Sequence, residues 1–176
     1  MTAKYPIILS CTLPADGETP LHFASTYAYY FGIQQLIEYG ADPNATNMHG
    51  QTAVFDAFNA GDECLECMKY LFDLGASLDV ADNNGDTLLH FAASMGNVGC
   101  VKFLLENVAL LVDMKNTSGC TPMHVAAAAD QPVVIKVLVD AGATVSTKNH
   151  SRWVSITLIV PSLISSYNRC SSLITS

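Results

Sequence analysis

The chain has 176 residues, half of them hydrophobic, with 14% charged residues and a formal net charge of −8. That length and apolar content suffice for about one domain with a sizeable buried core. The acidic balance argues against a nucleic-acid binder or a ligand of anionic membranes, which want a basic face, and fits partners that carry basic patches.

Residues 1–16, MTAKYPIILSCTLPAD, carry one lysine and a short apolar run. That run is too short for a secretory signal, and no stretch approaches the roughly 20 apolar residues of a membrane-spanning helix. Ile7, Ile8 and Leu9 are expected to lie over the adjoining segment of chain as an improvised cap. The six cysteines, at 11, 64, 67, 100, 120 and 170, read as free thiols in a chain without an export signal, and the expected location is cytoplasmic or nuclear.

From Thr19 a pattern begins. TPLHFA at 19–24 returns as TAVFDA at 52–57, TLLHFA at 87–92 and TPMHVA at 121–126. The threonines Thr19, Thr52, Thr87 and Thr121 are 33, 35 and 34 residues apart, with Gly17, Gly50, Gly85 and Gly119 two residues before each. A fixed period of this size marks a stacked array of supersecondary units. In each unit the threonine is a helix N-cap, and Pro20 or Pro122 suits the first helical position. Leu21 and Ala24, three apart, share a helical face.

A second apolar stripe comes later in every unit: Ile33, Leu36, Ile37; Met68, Leu71, Phe72; Val101, Leu104, Leu105; Val134, Val137, Leu138. This is the spacing of an amphipathic helix. Gly40, Gly75 and Gly142 stand at the helix ends, while the third unit has Val108-Ala109 instead. Polar stretches such as DVADNNGD at 79–86 read as turns. Each unit is therefore helix, turn, helix, then a protruding loop, and four such units bury one another's apolar faces. The fold class is an all-α solenoid. The units span about 17–49, 50–84, 85–118 and 119–152. Unit two is expected to carry about two extra residues around Asp62 to Cys67, and unit three one near Leu110-Leu111.

No catalytic arrangement is legible, for GxSxG, GxxxxGK and HExxH are all missing. Cys64 and Cys67 form a single CxxC, a weak zinc signal placed in the expected insertion of unit two. His22, His90 and His124 recur one unit apart. Stacked units lie roughly 10 Å apart, too far for ligands that must converge within about 2 Å of one ion. The histidines, with Thr19, Thr52, Thr87 and Thr121, are read as structural, and no metal or cofactor is expected. Phe55 in place of the second unit's histidine supports that reading.

TPLHFA at 19–24, TPMHVA at 121–126, EYGADPNA at 38–45 and DAGATV at 140–145 together resemble the ankyrin repeat family, over about residues 17–152. The resemblance implies histidines that bond the neighbouring threonine hydroxyl and loop backbone in a polar seam. It also implies a non-catalytic module that binds a partner protein on its concave face and loop tips, with no small-molecule substrate. Position by position, the tips supply Met48, His49, Gln51, Asn83, Asn84, Asp86, Asn116 and Ser118, and the first-helix ends supply Tyr27, Asn59 and Met95. Tyr27, Met48 and Met95 are the expected anchors, because exposed aromatic and methionine side chains dominate interfaces. The alternative is a targeting fragment of a larger enzyme.

After Trp153 the period stops. Residues 154–176 hold seven serines and no acidic residue, and this tail is expected to be isoform-specific or non-native.

Overall fold

The computed structural model describes residues 16–145. The cap expected at Ile7–Leu9 and the serine-rich tail lie outside these residues. Helix α1 (Pro20–Thr26) pairs with α2 (Tyr30–Glu38). The second unit runs from a single turn, α3 (Ala53–Asp56), through a 3-10 segment at Ala57–Glu63 to α4 (Cys64–Asp73). The third has α5 (Leu88–Met95), α6 (Val98–Asn107) and a 3-10 turn at Ala109–Asp113. The fourth has α7 (Pro122–Ala128) and α8 (Pro132–Asp140). First helices pack on first helices, α1 on α3 and α5 on α7. Second helices pack on second helices, α4 on α6 and α6 on α8.

The core is one continuous band. Leu21 and Ala24 are buried in α1, as are Leu88, Leu89 and Ala92 in α5, and Met123 and Ala126 in α7. The second helices add Ile33; Cys67, Met68 and Leu71; Cys100, Val101 and Leu104; and Val134, Ile135 and Leu138. This corrects the expected stripe in two places. Ile135 is fully buried in α8 although the apolar pattern does not name it, while Val137 packs half-buried against the core as Leu36, Ile37 and Leu105 do. Phe72 is exposed, and its ring meets Phe103 edge-on at 5.9 Å on the outer surface.

The two additional residues of unit two precede the CxxC. They are taken up in the 3-10 segment, where Gly61 has φ 62°, and α4 then re-enters register at Cys64. Cys64 and Cys67 are consequently core side chains on a helix, and not part of the insertion in which their spacing placed them. Cys64 Sγ lies 3.2 Å from Cys100 Sγ, and the Cys67 thiol points to the Ser25 carbonyl at 3.7 Å. In unit three the missing glycine is replaced by the 3-10 turn, which buries Leu111 and exposes Leu110.

Candidate functional site

The threonine–histidine pairs form a seam between units. At Thr19, the backbone N–H donates to His22 Nδ1 at 3.1 Å, and the hydroxyl lies 2.8 Å from the same nitrogen. An amide can only donate, so Nδ1 is the bare nitrogen and Nε2 carries the proton. Nε2 then donates to the Gln51 carbonyl of the next unit at 2.9 Å. His90 repeats this with Thr87 and with the Cys120 carbonyl at 3.0 Å. His124 repeats the Thr121 half. Burial holds His90 below the ordinary histidine range, and a second ring proton would face the Thr87 amide. The ring is a neutral strut, not an acid–base group.

The seam breaks at unit two. Phe55 is buried and meets Phe91 edge-on at 5.1 Å, while Phe58 stacks on Phe91 at 6.1 Å. The link between units two and three is aromatic where its neighbours are hydrogen-bonded. Without a ring nitrogen at position 55, the buried Thr52 Oγ1 has no hydrogen-bond partner among the described residues.

The loop tips form a ladder in the same register. Met48 N donates to Asp16 O at 3.0 Å, Asn83 N to His49 O at 2.8 Å and Thr117 N to Asn84 O at 2.8 Å. Each tip is clamped by its own side chain. Asn47 Oδ1 accepts from the amides of His49 and Gln51, Asp82 Oδ1 from Asn84 and Asp86, and Asn116 Oδ1 from Ser118 and Cys120. Asn83 Nδ2 reaches back to Met48 O at 2.8 Å, and Asn116 Nδ2 to Asp86 Oδ1 at 2.7 Å. Of the residues expected to contact a partner, Asn83, Asp86 and Asn116 thus hold neighbouring tips together. The clamp residues are the signal that sequence reading missed: an Asn or Asp five residues before each of the last three threonines.

The surface left for recognition is defined by the remaining residues. Tyr27 is 68% exposed, Met48 67% and Met95 52%. His49, Asn59, Asn84 and Ser118 lie at the surface to differing degrees, and Gln51 is half-buried. Tyr27 and Met95 occupy the same register position, eight residues after their threonines, and Tyr27 packs on Phe23 at 5.2 Å between ring centres. Four residues after the threonines stand Phe23, Asp56, Phe91 and Val125. Phe23 is half-exposed, but Asp56 is buried, and its Oδ2 has no hydrogen-bond partner among the described residues. Burial, reinforced by Glu18, pushes its carboxyl up to about 7. In the cluster Asp62, Glu63 and Glu66, Glu66 is bridged to Lys69 at 2.8 Å.

A separate groove of about 480 Å³ opens at the outer side of the first unit, between α1 and α2. The exposed rings of Phe23, Tyr29, Phe31 and Tyr39 line it. Among the described residues no group of three or more His, Cys, Asp or Glu side chains is arranged to hold a metal ion. No helix among them is long and apolar enough to cross a membrane.

Stacked helix pairs, a threonine–histidine seam and a laddered row of tips define a repeat solenoid. The chain belongs to the ankyrin repeat family: the profile described as Ankyrin repeats (3 copies) matches residues 7–82 and 55–149. Ankyrin repeats are protein-interaction modules. The Arabidopsis thaliana protein XBAT31 is 31% identical over 155 residues, 81% of this chain and 34% of that protein. The E3 ubiquitin-protein ligase XBAT32 of Arabidopsis thaliana is 30% identical over 155 residues, 73% of this chain and 30% of that protein. The palmitoyltransferase AKR1 of Lachancea kluyveri is 34% identical over 127 residues, 71% of this chain and 17% of that protein. The chain thus spans about a third or less of the length of these relatives.

Proposed function

We propose that the chain is a non-catalytic docking module that holds one partner protein on its first-helix face and loop tips. The observation that carries this is the exposure of Tyr27, Met48 and Met95 on that side, on a scaffold whose own hydrogen bonds keep it rigid. A preformed surface loses little freedom on binding, so a few apolar anchors suffice for specific association. Affinity capture tests it, comparing the protein with a Tyr27→Ala, Met48→Ala, Met95→Ala variant of unchanged helicity. A protein held by the first and released by the second supports the reading. Equal capture by both refutes the face.

A second reading places this array in a larger enzyme as its targeting part. It is favoured by relatives named as an E3 ubiquitin-protein ligase and a palmitoyltransferase, of which the chain covers 30% and 17%. Sequencing the full transcript tests it, and a transcript with no catalytic domain on either side would discard it.

A further inference from the structure

We propose that the chain ahead of Asp16 folds back over the open side of the first unit and seats Ile7, Ile8 and Leu9 in the groove between α1 and α2. The occupant is a segment of this same chain, and the proposal stands apart from the docking reading above.

The groove is a piece of core left open. Gly32 and Leu36, four residues apart on one face of α2, line it. Their counterparts in the later units are Cys67, Cys100 and Val134 for Gly32, and Leu71, Leu104 and Leu138 for Leu36. All six are 0% exposed, whereas Gly32 and Leu36 are only half-buried. At the first of these positions the preceding unit supplies the cover. The Cys67 thiol points to the Ser25 carbonyl of unit one, and Cys100 Sγ lies 3.2 Å from Cys64 Sγ of unit two. Unit one lacks such cover among the described residues, and the rings of Phe31 and Tyr39 stand 65% and 56% exposed at the groove. A stacked unit is apolar towards both neighbours, so the first one needs a cap.

Direction, register and chemistry point to the same occupant. Met48 N donates to Asp16 O as Asn83 N donates to His49 O one unit later, so the chain reaches unit one from the side where a preceding unit would stand. Gly40-Ala41 and Gly75-Ala76 begin 12 residues before Thr52 and Thr87, and both alanines are buried. Ile7-Ile8 begin 12 residues before Thr19, and the ankyrin profile takes the chain in from residue 7. Two isoleucines in place of Gly-Ala supply bulk where a core face lies open. Residues 5–15 carry no charge and include Tyr5, Ile7, Ile8, Leu9 and Leu13. The groove's lining holds no charged side chain either, so apolar groups on both sides leave water together. Pro20 lines the groove and stands eleven residues from Leu9, well within reach of a chain that spans up to about 3.3–3.6 Å per residue. So short a tether holds the segment at roughly millimolar effective concentration, which favours it over a second copy of the chain.

The test uses the full chain with its aliphatic methyls and aromatic rings isotopically labelled for NMR. Nuclear Overhauser contacts are expected from the methyls of Ile7, Ile8 and Leu9 to the rings of Phe31 and Tyr39. Ile7→Ser, Ile8→Ser, Leu9→Ser, made together, are expected to shift those ring signals. Thermolysin, which cuts before large aliphatic residues, reads the shelter. Its cleavage at residues 7–9 is expected to be at least about tenfold faster in a Phe31→Ala, Tyr39→Ala variant than in the unaltered protein, because a released segment is cut without a prior opening step. Both replaced rings are exposed, and the amide spectrum of residues 52–140 confirms that each variant keeps its fold. Absent contacts, unmoved ring signals in the serine variant, or cleavage unchanged by loss of the rings would each overturn the seat. Contacts that arise only between differently labelled molecules in a mixed sample would give the groove to a second copy and overturn it likewise.

Discussion

Threonine to valine, made at position 52 and again at position 87, should move stability in opposite directions. The two residues are equivalent caps with nearly the same backbone, φ −91°, ψ 166° and φ −85°, ψ 167°, and both are buried. Valine has the same shape and branching and accepts this extended conformation. Only the hydroxyl's surroundings differ. Thr87 Oγ1 lies 2.9 Å from His90 Nδ1, whereas Thr52 Oγ1 has no partner among the described residues because Phe55 stands in the histidine's place.

Deleting a buried, paired hydroxyl costs about 1 kcal/mol, while deleting an unpaired one recovers roughly 1–2 kcal/mol of desolvation. The His90 nitrogen keeps the Thr87 amide as a donor, so no second group is orphaned and the cost stays near the lower figure. The expected separation between the variants is about 2–3 kcal/mol, which at about 1–3 kcal/mol per molar urea is roughly one molar in midpoint. Urea unfolding followed by circular dichroism measures it, provided both slopes match the unaltered protein. If Thr52→Val lowers the midpoint as far as Thr87→Val does, the hydroxyl at 52 has a role that its lack of a partner hides, and the reasoning fails.

Asp56 gives a pH dependence. Its carboxyl keeps the proton to about 7 in the fold, against 3.8 when exposed. Native protein therefore binds more protons than unfolded chain between these values, and stability falls as pH rises through that window. Asp56→Asn should flatten this loss and be more stable by about 1–3 kcal/mol above pH 7, after discount for solvent screening; unfolding midpoints on the acidic and alkaline sides of the window decide it. A midpoint that Asp56→Asn leaves as pH-dependent as before would locate the titration elsewhere. The thiols should be shielded. Contact with Cys100 and burial push Cys64 up, and burial pushes Cys67 up to about 12. In differential alkylation read by mass spectrometry, Cys64, Cys67 and Cys100 should react at least about a hundredfold more slowly in the fold than in urea. Fast labelling of Cys64 would contradict its place in the core. Gly50→Ala should cost about 1–3 kcal/mol by thermal melting. The residue has φ 75°, and an added Cβ would stand 3.0 Å from the Asn83 amide nitrogen; an unchanged melting temperature would show that the tip can shift.

The period, the caps, the seam histidines and the tips were legible because identical units demand identical solutions. A threonine 33 to 35 residues after the last one can only be a cap in register with it. What escaped was set by neighbours. Ile135 is buried at the position, fourteen residues after the threonine, that Ile33 and Val101 hold in their units, and a run of valines hid that register from the apolar pattern. Cys64 and Cys67 looked like part of an insertion because extra length shows in the spacing but not its location within the joint. Asn116 read as an exposed recognition residue because its composition is that of a loop; its three bonds within the tips appear only once the ladder is built. Asp56 occupies a position where its counterparts are Phe23, Phe91 and Val125, and sequence marks it as an acidic surface residue.

The 3-10 segment of unit two shows how a tandem array tolerates growth. Two residues were gained between helices that both stay in register, and the gain was discharged outward, at Gly61, where an added Cβ meets nothing within 4 Å. A repeat stack is thus tightly constrained along its axis and loosely constrained at each elbow. Copies can lengthen there one at a time without their neighbours having to change, which is how near-identical units acquire separate identities while remaining a single object.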